Sequence, residues 1–122
     1  MRAAILLVSV TLLAAGSAQA TTIRSGLYGD VTRGPITPMC VAEQPCTEPA
    51  GNVTLVFSRS GRVVRRTVTD SAGRYRVRLP AGLYSVRRAG ASGFDRRLEP
   101  NAARVRSGRF VRVDFSIDTG IR

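Results

Sequence analysis

A strict alternation of apolar and polar residues is the feature of this sequence that most constrains its fold. Within Phe110–Asp118 every second residue is apolar: Val111, Val113, Phe115 and Ile117 alternate with Arg112, Asp114 and Ser116. A period of two predicts a β-strand with one face in a core and the other in water. Beyond the first twenty residues no segment carries the 3.6-residue apolar stripe of an amphipathic helix. The chain is therefore expected to be all-β.

The same alternation recurs in shorter segments. In Arg74–Leu79 the predicted inward residues are Tyr75, Val77 and Leu79, and the outward residues are Arg74, Arg76 and Arg78. Asn52–Ser58 and Leu83–Arg87 repeat the pattern, with Tyr84 and Val86 inward in the second of them. Arg62–Thr69 buries an arginine in either register, which predicts an edge strand. Short strands around Thr22–Val31 and Ala102–Arg106 bring the expected number to about seven.

Turn residues separate these segments. Asp70-Ser71-Ala72-Gly73 and Pro80-Ala81-Gly82 predict tight reversals. Asp70 can bind backbone N–H groups of its own turn, and Gly73 and Gly82 can take positive φ. Short strands every 8–12 residues with such turns predict an antiparallel β-sandwich. The stretch Ala89–Asn101 is expected to be a loop, with Phe94 and Leu98 covering one end of the sandwich.

The first twenty residues predict a secretory signal peptide. Arg2 is followed by a 13-residue apolar run, and Ala18 and Ala20 stand at the two positions that a signal peptidase reads. The run is too short for a membrane anchor, which needs about 20 apolar residues. The chain is therefore expected to consist of residues 1–20, removed on export, and one domain over residues 21–122, secreted or at the cell surface.

The two cysteines, Cys40 and Cys46, fall in the proline-rich segment Arg33–Ala50, which is expected to be an ordered connection. In an exported chain such a pair predicts a structural disulfide. An exchangeable redox pair is the alternative, although the spacing is longer than Cys-x-x-Cys. A metal site is a further alternative that lacks enough ligands.

The composition excludes several chemistries. The chain has 19 Lys and Arg residues, every one of them Arg, together with eight carboxylates and no His or Trp, for a net charge of +11. Without His or Lys there is no Ser-His-Asp or Cys-His site, no Schiff-base lysine and no Walker-type phosphate loop. No cofactor is expected. The sequence therefore favours a binding or structural role over catalysis.

Residues Thr69–Val86 read Thr-Asp, Gly, an aromatic residue, alternating apolar residues, a Pro-x-Gly turn and Tyr-x-Val. This order resembles the signature of carboxypeptidase regulatory-like domains. Gly26–Pro35 resembles the opening strand of a secreted bacterial subgroup. That subgroup also carries Pro-x-Cys and Pro-Cys elements and ends in Asp-Thr-Gly-Ile-Arg, as residues 118–122 do here. The signature positions matched here, all with structural roles in turns or core, are Asp70, Gly73, Tyr75, Pro80, Gly82 and Tyr84.

The resemblance covers essentially all of residues 21–122 and implies a fold and a class of function. The implied fold is the transthyretin-like (prealbumin-like) seven-stranded antiparallel Greek-key sandwich. The implied function is that of a non-catalytic module at the cell envelope or outside the cell. The zinc ligands of the peptidases that gave the family its name lie in a different domain, and a chain without His cannot contain them.

Arg74, Arg76 and Arg78 form a candidate anion-binding stripe, about 6.5–7 Å apart along one outward face. Such a stripe suits anionic envelope polymers, lipid headgroups or nucleic acid. Nucleic acid is disfavoured, because no Trp is present and the Tyr and Phe residues fall mostly at inward positions. A solvated surface without a ligand is the other interpretation. Further arginines are expected to extend the stripe: Arg62, Arg65, Arg66, Arg87, Arg88, Arg104, Arg106 and Arg112.

Asp118-Thr119-Gly120 matches the triplet of aspartic peptidases. That chemistry needs two carboxylates sharing a proton, so a dimer would have to bring two copies together. The alternative is a strand that ends in a turn capped by Asp118. A lone three-residue match is weak, and a dimeric aspartic peptidase is therefore a remote alternative to a binding module.

Overall fold

A computed structural model describes residues 23–90 and 98–121, and the predicted signal peptide and Phe94 lie outside these ranges. The described residues form ten β-strands and no helix. None of them belongs to a helix that could cross a bilayer. In chain order the strands are β1 (Gly26–Gly34), β2 (Glu48–Pro49), β3 (Thr54–Arg59), β4 (Arg62–Val68), β5 (Arg74–Arg78), β6 (Gly82–Arg88), β7 (Leu98–Glu99), β8 (Ala102–Val105), β9 (Phe110–Arg112) and β10 (Phe115–Asp118).

The long strand β1 organises a mixed six-stranded sheet. Its first half lies between β5, antiparallel, and β9, parallel. Its second half lies between β2, antiparallel, and β10, parallel, and β7 extends the sheet beyond β10. A second, four-stranded sheet is antiparallel throughout, in the order β4-β3-β6-β8. The described part of the chain is therefore all-β, with two sheets.

A single hydrophobic cluster draws its side chains from both sheets. Leu27 and Val31 of β1 and Leu55 of β3 are fully buried in it. At its centre are the rings of Phe57, Tyr75 and Phe115, with centroids 5.5–6.5 Å apart. The predicted inward residues of β5 and β6 are buried here, so the predicted alternation in these strands is confirmed. Two sheets sharing one core fit a β-sandwich.

The structure departs from the expectation of seven antiparallel strands. Ten strands are present among the described residues, and the pairings of β1 with β9 and β10 are parallel. The segment Phe110–Asp118, predicted as one strand, is two, because the Asp30 N–H binds the Asp114 carboxylate instead of a backbone carbonyl. The additional strands β2 and β7 have two residues each, too few for a detectable period. Leu98, expected in a loop, is buried in β7.

The proline-rich connection between β1 and β3 is held by the predicted disulfide. Cys40 and Cys46 are bonded, with Cα atoms 5.5 Å apart. The Ile36 N–H donates to the Cys46 carbonyl at 2.9 Å, which ties the end of this loop back to the residues that follow β1. The disulfide is consistent with an oxidising, extracellular environment.

Candidate anion-binding face

The predicted arginine stripe lies on the outer face of the six-stranded sheet, where β5, β1 and β9 are neighbours. Arg74, Arg76 and Arg78 are all exposed, whereas Tyr75 and Val77 between them are buried. The register places Arg76, Tyr28 and Arg112 side by side across three strands, and Arg74 beside Asp30. We call this surface the cleft face; it comprises Tyr28, Asp30, Arg74, Arg76, Arg78 and Arg112.

An open cleft of about 420 Å³ lies on the cleft face. Its volume is within the usual range of ligand-binding clefts, and a single charged group with the unit that carries it would fit. Arginine thus reaches the cleft from β5 on one side and from β9 on the other. The residues that line it are Tyr28, Gly29, Asp30, Arg74, Tyr75, Arg76 and Arg112.

Arg112 is held in place by two carboxylates. Its Nη2 lies 3.1 Å from Asp30 Oδ2, and its Nε lies 3.2 Å from Asp114 Oδ1. The hydrogen bond to Asp114 raises the pKa of Arg112 above its usual value, and attraction to Asp114 and Asp30 raises it further. Arg112 is therefore a positioned cation whose charge is already compensated by its neighbours.

Arg76 is positioned by an aromatic ring. Its guanidinium carbon lies 4.1 Å from the centre of the Phe110 ring, a cation–π contact. The ring can reach over β1 because residue 26 is glycine; a Cβ there would lie 2.7 Å from Phe110 Cε1. Stacking leaves the edge of the guanidinium free to donate hydrogen bonds in the plane of the group.

Tyr75 lines the cleft and ties β5 to the connection between β9 and β10. Its phenol donates a hydrogen bond to the Val113 carbonyl in the connection between β9 and β10. Burial raises the pKa of the Tyr75 phenol, and the charge of Asp114 raises it further. The group therefore stays protonated near neutral pH and acts as a hydrogen-bond donor to the backbone.

The charges of the cleft face are only partly balanced. Arg74, Arg76, Arg78 and Arg112 carry four positive charges, against two negative charges on Asp30 and the adjacent Asp114. Within the described part of the chain neither Arg74 nor Arg76 forms an ion pair, and the same holds for Arg78. Two guanidinium groups of the cleft are thus available to a carboxylate or phosphate, with Arg112 beside them.

The signature residues make bonds within the fold. Asp70 Oδ1 accepts hydrogen bonds from the N–H groups of Ala72 and Arg74, both at 2.9 Å, which closes the turn before β5. Gly73 has a φ of 77°, in the left-handed region that favours glycine. The Tyr84 hydroxyl donates to the Pro80 carbonyl at 2.6 Å. Gly82 begins β6, next to the Arg59 side chain.

Most of the arginines expected to extend the stripe lie elsewhere. Arg62, Arg65 and Arg66 are in β4, Arg87 and Arg88 in β6 and Arg104 in β8, all of them in the four-stranded sheet, and Arg106 follows β8. Arg112 alone lies on the cleft face. The sequence interpretation missed the cleft residues Tyr28 and Asp30, although their outward parity in the opening strand could have suggested them.

Asp118-Thr119-Gly120 forms a strand end and a turn. Asp118 Oδ1 accepts from the Gly120 N–H at 2.9 Å, and the Thr119 hydroxyl donates to the Pro35 carbonyl at 2.6 Å. The triplet therefore fastens the end of β10 to the residues after β1.

Comparison with known proteins finds no match, either among models of protein families or among curated proteins. What the chain binds has to be inferred from its own residues and their geometry.

Proposed function

We propose that the protein is a non-catalytic binding module of the cell envelope or extracellular space, and that its cleft face binds an anionic group. The observation that carries this proposal is the convergence of arginines from β5 and β9 on one open cleft. A carboxylate or phosphate of an envelope polymer is the class of ligand that such a cleft suits. A soluble protein that binds polyanions more generally is the alternative with the same surface.

A non-catalytic role is favoured by how the polar groups of the cleft are engaged. Asp30 and Asp114 both bind Arg112, and the Tyr75 phenol donates to a backbone carbonyl. Asp118, the carboxylate of the peptidase-like triplet, accepts the Gly120 N–H. These contacts give each group a structural partner, which argues against the remote alternative of a dimeric aspartic peptidase.

We further propose that the fold is the transthyretin-like Greek-key sandwich of carboxypeptidase regulatory-like domains. The two sheets, the shared core and the turn bonds of Asp70 and Tyr84 support this assignment. Export is supported by the signal-peptide pattern of residues 1–20 and by the Cys40–Cys46 disulfide. Such modules support or bind other components, so the fold agrees with a binding role but does not by itself define the ligand.

The test is retention of the processed protein on immobilised polyglutamate at increasing salt concentration. The variant Arg74→Gln/Arg76→Gln/Arg78→Gln removes three charges from the cleft face and keeps a polar side chain at each position. We expect its log–log salt slope to flatten by about two to three, by analogy with counterion release from nucleic acids.

A second triple variant, Arg62→Gln/Arg65→Gln/Arg88→Gln, changes the net charge by the same amount on the other sheet. It should flatten the slope less. Equal slopes in the two variants would mean that polyglutamate responds only to net charge, and the cleft face would then not be the binding site.

A further inference from the structure

The strands of the four-stranded sheet carry seven arginines and no carboxylate. Every carboxylate of the described residues lies in the six-stranded sheet or in a connection. Within the described part of the chain, the ion pairs of arginine involve Arg33 and Arg112, both in the other sheet. The four-stranded sheet is thus cationic without the compensation that Asp30 and Asp114 provide on the cleft face.

Three of these arginines project from the outer face. Val56 of β3 pairs with Arg66 on one side and Arg87 on the other, so the two arginines flank it in one row across three strands. Arg104 of β8 pairs with Leu83 of β6 on the same face. All three arginines are exposed, whereas Val56 between two of them is fully buried.

Apolar side chains stand among these arginines. Val63, Val68 and Leu83 are 45%, 56% and 57% exposed. They have the same parity as Val56, because Val63 pairs with Ser58 and Val68 with Thr54. We call this surface the four-strand face; it comprises Val63, Arg66, Val68, Leu83, Arg87 and Arg104. It combines exposed aliphatic groups with uncompensated guanidinium groups on one side of one sheet.

We propose that the four-strand face docks on the surface of an anionic lipid bilayer. Guanidinium groups form bidentate hydrogen bonds to lipid phosphates, and each basic residue near an anionic membrane adds about 1 kcal/mol of attraction. Burial of the Val68 and Leu83 side chains at the boundary between headgroups and acyl chains strengthens binding, because it removes apolar surface from water. Leu83 pairs with Arg104, so an apolar and a cationic group meet the membrane at one position.

The same features favour a membrane over a nucleic acid. The aromatic side chains of this sheet, Phe57 and Tyr84, are buried in the core, so the described residues of the face include no ring on which a base can stack. An anionic polymer in water would use the arginines but would leave Val68 and Leu83 exposed. Lipid is the occupant that uses both kinds of side chain. This inference concerns a different surface from the cleft face and does not depend on the proposed function.

The experiment is sedimentation of the processed protein with vesicles of equal parts phosphatidylglycerol and phosphatidylcholine, and with pure phosphatidylcholine. The wild-type protein should bind the mixed vesicles. Arg66→Gln/Arg87→Gln/Arg104→Gln should weaken binding about a hundredfold, as expected from three basic residues. Arg62→Gln/Arg65→Gln/Arg88→Gln, with the same net charge and on neither named face, should bind within a few fold of the wild type. Equal losses in the two variants would overturn the proposal.

A second measurement separates membrane contact from charge alone. The chain has no tryptophan, so Leu83→Trp supplies a single fluorescent reporter on the four-strand face, and Tyr28→Trp supplies the matched reporter on the cleft face. Mixed vesicles should shift the emission of the Leu83→Trp variant to shorter wavelength and leave the emission of the Tyr28→Trp variant unchanged. An unshifted emission from Leu83→Trp would contradict insertion and assign the face to polymers instead. A shift in the emission of the Tyr28→Trp variant would place the lipid on the cleft face and would contradict the proposal.

Discussion

The carboxylate of Asp114 accepts a hydrogen bond from the backbone N–H of Asp30 at 2.9 Å, although 84 residues of chain separate them. The same oxygen accepts a hydrogen bond from Arg112 Nε. Arg112 Nη2 donates a further hydrogen bond to Asp30 Oδ2. A side chain thus fills the gap between β9 and β10 in the ladder along β1. Asp114 thus takes part both in the pairing of β1 and in the charge balance of the cleft.

Substitution of Asp114 should separate these two roles. Asp114→Asn keeps an oxygen for the Asp30 N–H but removes a negative charge, so affinity of the cleft face for polyglutamate should rise about two- to fivefold, as exposed ion pairs suggest. Asp114→Ala removes both, and should lower the free energy of unfolding by about 0.5–1.5 kcal/mol. Titration binding and urea unfolding measure the two effects. Weaker binding by Asp114→Asn would contradict an anionic ligand.

Tyr75 should make the protein sensitive to alkali. Its pKa is raised in the folded state, so its contribution is fully present below the ordinary tyrosine pKa of about 10 and is lost as pH rises towards the raised value. The unfolding free energy should fall by up to about 1.4 kcal/mol per pH unit in that range.

Tyr75→Phe should lower the free energy of unfolding by about 0.5–1.5 kcal/mol near neutral pH, because the hydrogen bond to the Val113 carbonyl is lost. It should also reduce the slope with which the free energy of unfolding falls at alkaline pH. Urea unfolding between pH 8 and 11 tests this. Tyr28→Phe, which alters an exposed hydroxyl on the cleft face, should retain the wild-type slope. Identical slopes in Tyr75→Phe and the wild type would assign the alkaline loss to another group.

Phe115 should be a major contributor to stability. Its ring is 1% exposed and lies 5.5 Å from the Tyr75 ring and 6.5 Å from the Phe57 ring. Phe115→Ala should cost about 3–5 kcal/mol, a large part of the stability of a small domain. Ser116→Ala, one residue away and facing outward, should change the unfolding free energy little. Comparable losses at both positions would contradict the register of β10.

The Cys40–Cys46 disulfide should stabilise its own loop more than the sheets. Closing a seven-residue loop contributes about 2–2.5 kcal/mol in the chain-entropy model. In the exported protein both cysteines should resist alkylation until a reductant is added. Cys40→Ser should speed hydrogen exchange at Ile36, whose N–H donates to the Cys46 carbonyl, and leave exchange in β3 and β6 nearly unchanged. Free thiols in the exported protein would contradict the predicted role.

Side-chain parity was predictable from the sequence wherever a strand had four or more alternating residues. The outward arginines of β5 and the inward Tyr84 and Val86 of β6 follow from it directly. Parity is local, because successive side chains in any strand point to opposite faces. The division of Phe110–Asp118 into two strands was not predictable, since it depends on the distant Asp30 N–H.

The composition of the two faces was not predictable for the same reason. Arg74, Arg104 and Arg112 all fall at outward positions of predicted strands, and parity does not say which sheet a strand joins. Pairing with β1 brings Arg112 to the cleft face, whereas pairing with β6 places Arg104 on the four-strand face. Strand order depends on contacts that are distant in sequence, which a periodicity of neighbouring residues does not record.

The position of β1 has a consequence for the order in which the chain can assemble. Val31 pairs with Phe115, so the first strand of the described chain must wait for a partner that leaves the ribosome 84 residues later. Loop closure over such a separation is slow, and local hairpins such as β3–β4 can form long before it. During synthesis the residues of β1 therefore remain without their parallel partners until β9 and β10 have been made. Docking of β9 and β10 onto β1 is then the step that should limit the folding rate.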